Sequence, residues 1–208
     1  MDFQTNKTLG GIGAILLFIG CLTFISPAVG ILGLIGFILV LIALNGFANY
    51  YKEKGIFNNA LYGIITFIVG AVVTIAIAIF VLVDFLTSLG IDLTNWQSLQ
   101  SVDWASIMTP DKIMGLVGSG IVALVILFIF CILGAYFLRK SLDLLATKTE
   151  VKLFGTTGLI LLVGAVLTIV LIGFILLFVA ILLLVISFFS INTPAVTPET
   201  SQPPTQNP

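Results

Sequence analysis

Long uninterrupted apolar runs are the feature that most constrains the fold of this chain. Residues 113–138 contain no charged side chain, and neither do residues 153–191. A helix needs about 20 mainly apolar residues to cross a hydrocarbon layer roughly 30 Å thick, and both runs reach that length. Charged residues make up 8% of the chain, whereas soluble domains carry about 25%. We therefore predict an all-α fold, a polytopic bundle of transmembrane helices.

Breaks in the apolar pattern divide the chain into six predicted spans. Ser26-Pro27 interrupts the first apolar stretch, since proline breaks or kinks a helix. Residues 153–191 would form a helix at least about 55 Å long, so we predict two spans there, with a turn near residues 169–173. Two tight hairpins thus flank two longer spans. The predicted spans are residues 9–25, 29–47, 61–86, 113–138, 153–170 and 172–191.

Two polar segments accompany the single predicted transmembrane domain, residues 1–191. Residues 87–112 form the one sizeable loop, which we assign to the extracytoplasmic side. Thr94-x-x-Gln97 resembles a capping box and predicts a short helix in this loop, with an irregular loop as the alternative. Residues 192–208 are polar and proline-rich and contain no core-forming pattern, which predicts a disordered tail.

Positive charge predicts the sidedness of the bundle. With six spans, seven of the eight basic residues fall on one side, and the eighth, Lys112, falls on the other. Basic residues accumulate on the cytoplasmic side, so we expect a multi-pass protein of the cell membrane with its N- and C-termini in the cytoplasm. All four tyrosines lie near span ends on that side, where amphipathic rings are favoured. The seven basic residues are Lys7, Lys52, Lys54, Arg139, Lys140, Lys148 and Lys152.

Small residues recur at helical spacing and predict close packing between helices. Lipid gives helices no hydrophobic drive to associate, so small side chains that let backbones approach are enriched at membrane helix interfaces. The alternative, a phosphate-binding glycine loop, would require a lysine and a strand that the sequence does not supply. The predicted helix-packing residues are Gly10, Gly13, Gly30, Gly33, Gly36, Gly115 and Ser119.

The polar residues of the spans predict little chemistry. The chain has no histidine, which is the usual general base near neutral pH and the commonest metal ligand. We predict no catalytic residues, no metal and no cofactor. Asn45 and Asp84 are weak candidates for a polar site, although Asp84 is more readily explained as the solvated outer end of its helix. The net charge of −1 gives no indication of nucleic acid as a partner.

Three segments carry a resemblance to a known family. They are NKTLGGIGAILLFIG at the start, the hairpin GILGLIGFILVLIALNGFANYY, and GIFNNALYGI after it. Together they resemble the uncharacterised prokaryotic, largely archaeal, integral membrane family called domain of unknown function 996. The resemblance covers residues 7–191 and is strongest over the first third. It implies a membrane protein and an archaeal origin, and it implies no catalytic or binding residues because the family carries no established activity.

Three functional hypotheses follow from these patterns. The first is a non-catalytic membrane component, such as a scaffold, an assembly partner or a regulator, whose partners are the lipid bilayer and a membrane protein or a second copy. The second is a transporter or channel for a small neutral or apolar molecule, which predicts a buried polar cavity lined by Asn45, Thr66 and Ser119. The third, a lipid-modifying or intramembrane enzyme, has the least support because the sequence shows no constellation of catalytic residues.

Overall fold

The computed structural model describes residues 2–22, 27–89 and 109–192, and every regular element in this part of the chain is a helix. The all-α fold predicted from the sequence is therefore confirmed. The helices are α1 (Phe3–Gly20), α2 (Pro27–Tyr50), α3 (Lys54–Ser88), α4 (Pro110–Thr149), α5 (Lys152–Leu167), a 3₁₀ turn (Thr168–Val170) and α6 (Ile172–Phe189).

Three predicted segments fall wholly or mostly outside the described residues. They are Ser26 in the first predicted turn, the short helix in the loop of residues 87–112, and the proline-rich tail of residues 192–208, of which only Asn192 is described. The break between the last two helices is described: the 3₁₀ turn and Leu171 separate α5 from α6.

Within the described part of the chain, five helices, α2 to α6, are long and apolar enough to cross a membrane. In α1, polar side chains occupy the first two turns. The helices also continue past the predicted spans, since α3 begins at Lys54 rather than residue 61 and α4 ends at Thr149 rather than residue 138. An apolar run shows where hydrocarbon can surround a helix. The backbone hydrogen bonds of the helix continue through the neighbouring polar residues until the helix end is capped.

The helices pack side by side in chain order, and α6 returns to α1. The rings of Phe18 and Phe178 lie 4.4 Å apart, and Lys7 Nζ donates a 2.6 Å hydrogen bond to the carbonyl of Ile191. Successive helices run antiparallel, so α1 begins and α6 ends at the same end of the bundle. We call this end the base. It also contains the connections from α2 to α3 and from α4 to α5.

The buried apolar core lies near the base. The rings of Phe47, Phe154 and Phe188 are fully buried there, with Phe188 lying 5.1 Å from Phe154 and 6.3 Å from Phe47. Ile56 of α3 and Leu145 of α4 join the same cluster. All six helices therefore meet through buried apolar side chains where most of the charged residues also lie.

The burial pattern reverses away from the base. The outer halves of α3 and α4 direct large apolar side chains outward, and the side chain of Phe80 is 72% exposed while that of Met114 is 74% exposed. Water would penalise such surfaces, because burying apolar area is the dominant favourable term in folding. The bundle thus buries its apolar side chains at the charged base and exposes them over the uncharged length of α3 and α4.

Candidate functional site

Among the residues that the structure describes, five buried polar side chains occur within the base half of the bundle, each on a different helix. We call them the buried polar set: Asn6 of α1, Asn59 of α3, Ser141 of α4, Thr157 of α5 and Ser187 of α6. A buried polar group costs free energy unless it is hydrogen-bonded, so the partners of these side chains indicate what they do.

Four members of the buried polar set bond within or between helices. Ser141 Oγ donates a 2.5 Å bond across the α3–α4 interface to the carbonyl of Ile56. The hydroxyls of Thr157 and Ser187 face each other across the α5–α6 interface at 3.4 Å, and each also lies within hydrogen-bonding distance of a carbonyl of its own helix. Each hydroxyl has one proton, so one of the two donates to its own helix whenever the other donates across the interface. Asn59 Nδ2 donates to the carbonyl of Gly55, one turn earlier in α3. The Ser141 bond and the Thr157–Ser187 contact thus join neighbouring helices at the base, whereas the Asn59 bond stays within α3.

Asn6 is the exception, because both atoms of its amide are buried without a hydrogen-bond partner. The amide packs directly against Gly46 of α2, where any larger residue would collide with it. Leaving such a group unsatisfied costs about 1–3 kcal/mol. An unpaired buried amide next to a glycine makes this contact the most unusual polar feature of the base.

Gly46 also borders a surface cavity of about 310 Å³ on α2, near the base end of that helix. Its lining residues are Ile42, Asn45, Gly46, Asn49 and Tyr50, which share one helix face at spacings of three and four. Asn45 and Asn49 are exposed, so their amides can both donate and accept hydrogen bonds. The cavity thus offers neutral polar groups beside an apolar wall.

Charged residues surround the base and fix its helix ends. Lys148 Nζ lies 3.6 Å from Glu53, which ties the end of α4 to the start of α3, and Arg139 lies 3.5 Å from Asp143 along α4. Burial raises the pKa of the Tyr51 phenol above its ordinary value, and electrostatic repulsion from Tyr50 and Glu150 raises it further. The base thus combines an apolar interior with a partly solvated ionic rim.

Four of the predicted packing glycines, Gly10, Gly13, Gly33 and Gly36, lie in tight helix contacts. A Cβ at Gly13 would come within 2.8 Å of the Gly36 carbonyl, and Gly33 lies directly against Gly20. Gly10 packs against the ring of Phe188, which brings α1 onto α6. Gly30, near the start of α2, is half-buried. These close approaches exist because glycine has no side chain to separate the backbones.

Gly115 and Ser119 differ from the other predicted packing residues. A Cβ at Gly115 would meet nothing within 4 Å among the described atoms, so no helix contact there supports the predicted packing role. Ser119 Oγ bonds to the carbonyl of Gly115, and Ser119 borders a cavity of about 370 Å³ between the outer halves of α3 and α4. Both residues lie on the outer half of α4, where α3 is the helix beside it.

Sequence reasoning missed several close contacts that involve glycine. Gly63 of α3 approaches the carbonyl of Gly134 of α4, and Gly70 packs against Phe130. The seven-residue spacing of Gly63 and Gly70, which places both on one helix face, was a usable signal. For Gly46 the sequence offered no comparable signal, because its contact with Asn6 joins residues forty positions apart.

The remaining polar candidates do not converge. Asn45 lies at the base of α2, whereas Ser119 lies in the outer half of α4, and Thr66 Oγ1 donates to the carbonyl of Tyr62 in its own helix. Asp84 is exposed near the outer end of α3. Within residues 2–22, 27–89 and 109–192, Asp, Glu and Cys side chains form no group of three that could hold a metal ion.

Two sequence comparisons find relatives for this chain. The family model described as protein of unknown function (DUF996) matches residues 32–182, which extend from within α2 to within α6. An uncharacterised protein of Methanocaldococcus jannaschii, MJ1644, is 30% identical over 192 residues, covering 92% of this chain and 94% of that protein. No solved structure matches.

Proposed function

The chain belongs to the DUF996 family of proteins of unknown function, and we propose that it is a non-catalytic integral membrane component, acting as a scaffold, an assembly partner or a regulator. The family membership confirms the resemblance found in the sequence. It assigns no activity, so the proposal depends on the physical features of the bundle.

The reversed burial pattern is the observation that supports residence in a bilayer. Large apolar side chains face outward along the uncharged length of α3 and α4, while the buried apolar core coincides with the charged base. Hydrocarbon accepts exposed apolar side chains without penalty, whereas the hydrophobic effect drives their burial wherever water reaches the protein. Lipid around the uncharged length of α3 and α4 explains the exposed apolar side chains, and water at the base explains the buried apolar core.

The distribution of basic residues supports a cytoplasmic base. The N-terminus, the connection after α2, the last turns of α4 and the start of α5 all belong to the base and carry seven of the eight basic residues. Lys112, the eighth, lies at the opposite end, where Nζ donates to the carbonyl of Ser88. By the positive-inside rule both termini would lie in the cytoplasm.

The partners of the buried polar set support a structural role. Ser141, Thr157 and Ser187 bond to carbonyls or to each other at helix contacts, which leaves their hydroxyls committed to assembly of the base. The residues expected to line a transport cavity, Asn45, Thr66 and Ser119, lie on separate parts of the bundle. These placements favour a role in holding or assembling membrane proteins over passage of a solute through the bundle.

Reporter fusions test the placement. A reporter active only in the cytoplasm, fused in turn to the N-terminus and the C-terminus, is expected to be active in both fusions, and a reporter inserted after Ser88 is expected to be inactive. Activity of the inserted reporter together with silent terminal fusions would reverse the orientation. Release of the protein by alkaline carbonate would contradict integral insertion.

Purification in native lipid discs, followed by mass spectrometry, tests the role. We expect a protein partner, or a second copy, at a fixed stoichiometry with the chain. Reconstitution into liposomes provides the opposing measurement. Saturable uptake of a neutral solute that depends on the protein would replace the non-catalytic proposal with a transport function.

A further inference from the structure

The turn between α5 and α6 is unusual because it is apolar and exposed. Ile169, Val170, Leu171 and Ile172 are between 54% and 72% exposed, and the residues that follow them in α6, Phe174 and Ile175, are exposed too. Turns that face water usually contain glycine, asparagine, aspartate or serine, which tolerate solvent and left-handed backbone angles. The surface of this turn instead resembles the lipid-facing surface of a transmembrane helix.

Contacts with α4 give the height of this turn above the charged base. Gly158 of α5 packs against the backbone of Arg139, which sets the two residues at the same level. From Gly158 to Leu167 the helix rises about 14 Å, and the 3₁₀ turn adds roughly 6 Å. Helix α6 gives a similar height for the turn. It descends about 22 Å from Ile172 to Ser187, whose hydroxyl lies 3.4 Å from that of Thr157, the residue before Gly158. The turn therefore lies about 20 Å above Arg139.

Helix α4 rises much further. Between Arg139 and Lys112 it has no charged side chain and extends for about 40 Å. A hydrocarbon layer roughly 30 Å thick fits between these two charged levels with about 10 Å to spare. Whether the layer begins at Arg139 or ends at Lys112, the α5–α6 turn remains about 10 Å inside its nearer boundary.

Several hydrogen-bonding groups of the turn are paired within the turn itself. Thr168 Oγ1 donates to the carbonyl of Ala165 at 2.6 Å, and the Leu171 N–H donates to the carbonyl of Thr168 at 3.0 Å. The Phe174 N–H then donates to the carbonyl of Leu171 at 3.3 Å. Internal bonding of this kind is what a turn needs when no water is available to pair with its backbone.

Leu171 adopts the left-handed conformation with φ 63°, which is costly for any residue other than glycine, asparagine or aspartate. In water, glycine or asparagine would close this turn more easily and would expose less apolar surface. In hydrocarbon leucine becomes more favourable than asparagine at this position. An asparagine amide would lack a hydrogen-bond partner there, whereas the leucine side chain has no polar group that needs one. A strained leucine at the tip is therefore understandable when acyl chains surround it.

We propose that the α5–α6 hairpin is re-entrant: it enters the membrane from the base, turns within the hydrocarbon and returns, with the acyl chains of the lipid as its contact surface. Helix α1, packed on α6 through Gly10 and Phe188, ends at Gly20 only about 15 Å above that contact. Helices α3 and α4 extend to the opposite surface. The inference rests on the proposed membrane placement, and it revises the prediction of two full crossings over residues 153–191.

Single-cysteine labelling of the full chain tests this inference. In a background carrying Cys21→Ala and Cys131→Ala, Leu171→Cys is compared with Thr87→Cys at the outer end of α3 and Lys148→Cys at the base. A membrane-impermeant maleimide should label Thr87→Cys from outside and Lys148→Cys from the cytoplasmic side, and should label Leu171→Cys from neither. A bimane attached at Leu171→Cys should be quenched most strongly by spin labels within the acyl chains.

Labelling of Leu171→Cys from outside, with both controls behaving as expected, would overturn the re-entrant hairpin and leave the membrane proposal intact. The same holds if headgroup spin labels quench the bimane most strongly. If Thr87→Cys and Lys148→Cys are labelled from the same side, the proposed placement itself is wrong, and the hairpin inference falls with it.

A second measurement compares Leu171→Asn with Leu171→Ala in lipid discs. Both remove the leucine side chain and keep a residue with a Cβ in the left-handed conformation. If the turn lies in hydrocarbon, the Asn variant should melt at a lower temperature than the Ala variant, because its amide has no partner. If the turn faces water, asparagine should be the more stable of the two, since it tolerates this conformation better, and that order would overturn the proposal.

Discussion

Ser141 of α4 donates its hydroxyl to the carbonyl of Ile56 in α3, at 2.5 Å, and both residues are fully buried. The bond joins the first turn of α3 to the last part of α4, just below the level where charged side chains give way to apolar ones. It belongs to the α3–α4 contact that continues along the apolar length through Gly63 and Gly134.

Replacing Ser141 with alanine should weaken the base without disrupting it. The loss of one buried hydrogen bond is expected to lower the free energy of unfolding by about 1 kcal/mol. Chemical unfolding in bicelles measures this change. Ser119→Ala is the matched control, because Ser119 Oγ bonds only within its own helix at Gly115 and should change stability by less than about 0.5 kcal/mol. Equal effects of the two substitutions would contradict a structural role for the Ser141 bond.

Gly36→Ala should destabilise the first hairpin. The added Cβ would lie 2.5 Å from the Gly13 carbonyl and the Leu17 nitrogen, which are backbone atoms that move only if α1 shifts. We expect a loss of about 1–3 kcal/mol, the usual cost of overpacking. Gly115→Ala adds the same methyl group where nothing lies within 4 Å among the described atoms, and should be neutral or stabilising by up to about 1 kcal/mol. A reversed order in thermal melts would show that α1 and α2 do not pack as described.

Phe188→Ala should be the most damaging of these substitutions. Its ring is fully buried against Gly10, Phe47 and Phe154, so truncation leaves a cavity at the meeting point of four helices and should cost about 3–5 kcal/mol. Phe80→Ala removes the same ring from an exposed face of α3 and should cost less than about 1 kcal/mol. Unfolding free energies of the two variants measure the contrast. A large loss from Phe80→Ala alone would mean that a partner covers that face.

Lys148→Ala should have a small effect. The Lys148–Glu53 pair is separated by 3.6 Å and more than a third of each side chain is exposed, so solvent screens it. Exposed ion pairs contribute about 0.2–1 kcal/mol, and the contribution should shrink as salt is added. Melting temperatures of the wild-type chain and the variant at low and high salt measure this. A difference that persists undiminished at high salt would indicate that Lys148 acts through packing instead.

The helical fold class could be predicted because it depends on neighbours in the chain. An apolar run such as residues 153–191 satisfies its backbone only as helix when no water is present, whatever it packs against. Helix ends were less predictable, since α4 continues through Arg139 and Lys140 to Thr149, and polar residues do not end a helix. The predicted boundary at residue 138 marked the end of the apolar surface rather than the end of the helix.

The packing contacts needed the tertiary structure. Gly36 and Gly115 belong to similar small-residue patterns, yet one touches the backbone of a neighbouring helix and the other faces open space. The contact of Asn6 with Gly46 and the bond of Ser141 to Ile56 join residues far apart in sequence, and no local pattern announces them.

Residue order along the chain alone determined that this protein is helical and apolar over long stretches, because these properties are sums over adjacent residues. Only the tertiary structure decided how high each hairpin rises beside α3 and α4. The height of a hairpin depends on which residues of neighbouring helices lie at the same level, as Gly158 lies at the level of Arg139. Contacts between residues distant in the sequence set that alignment.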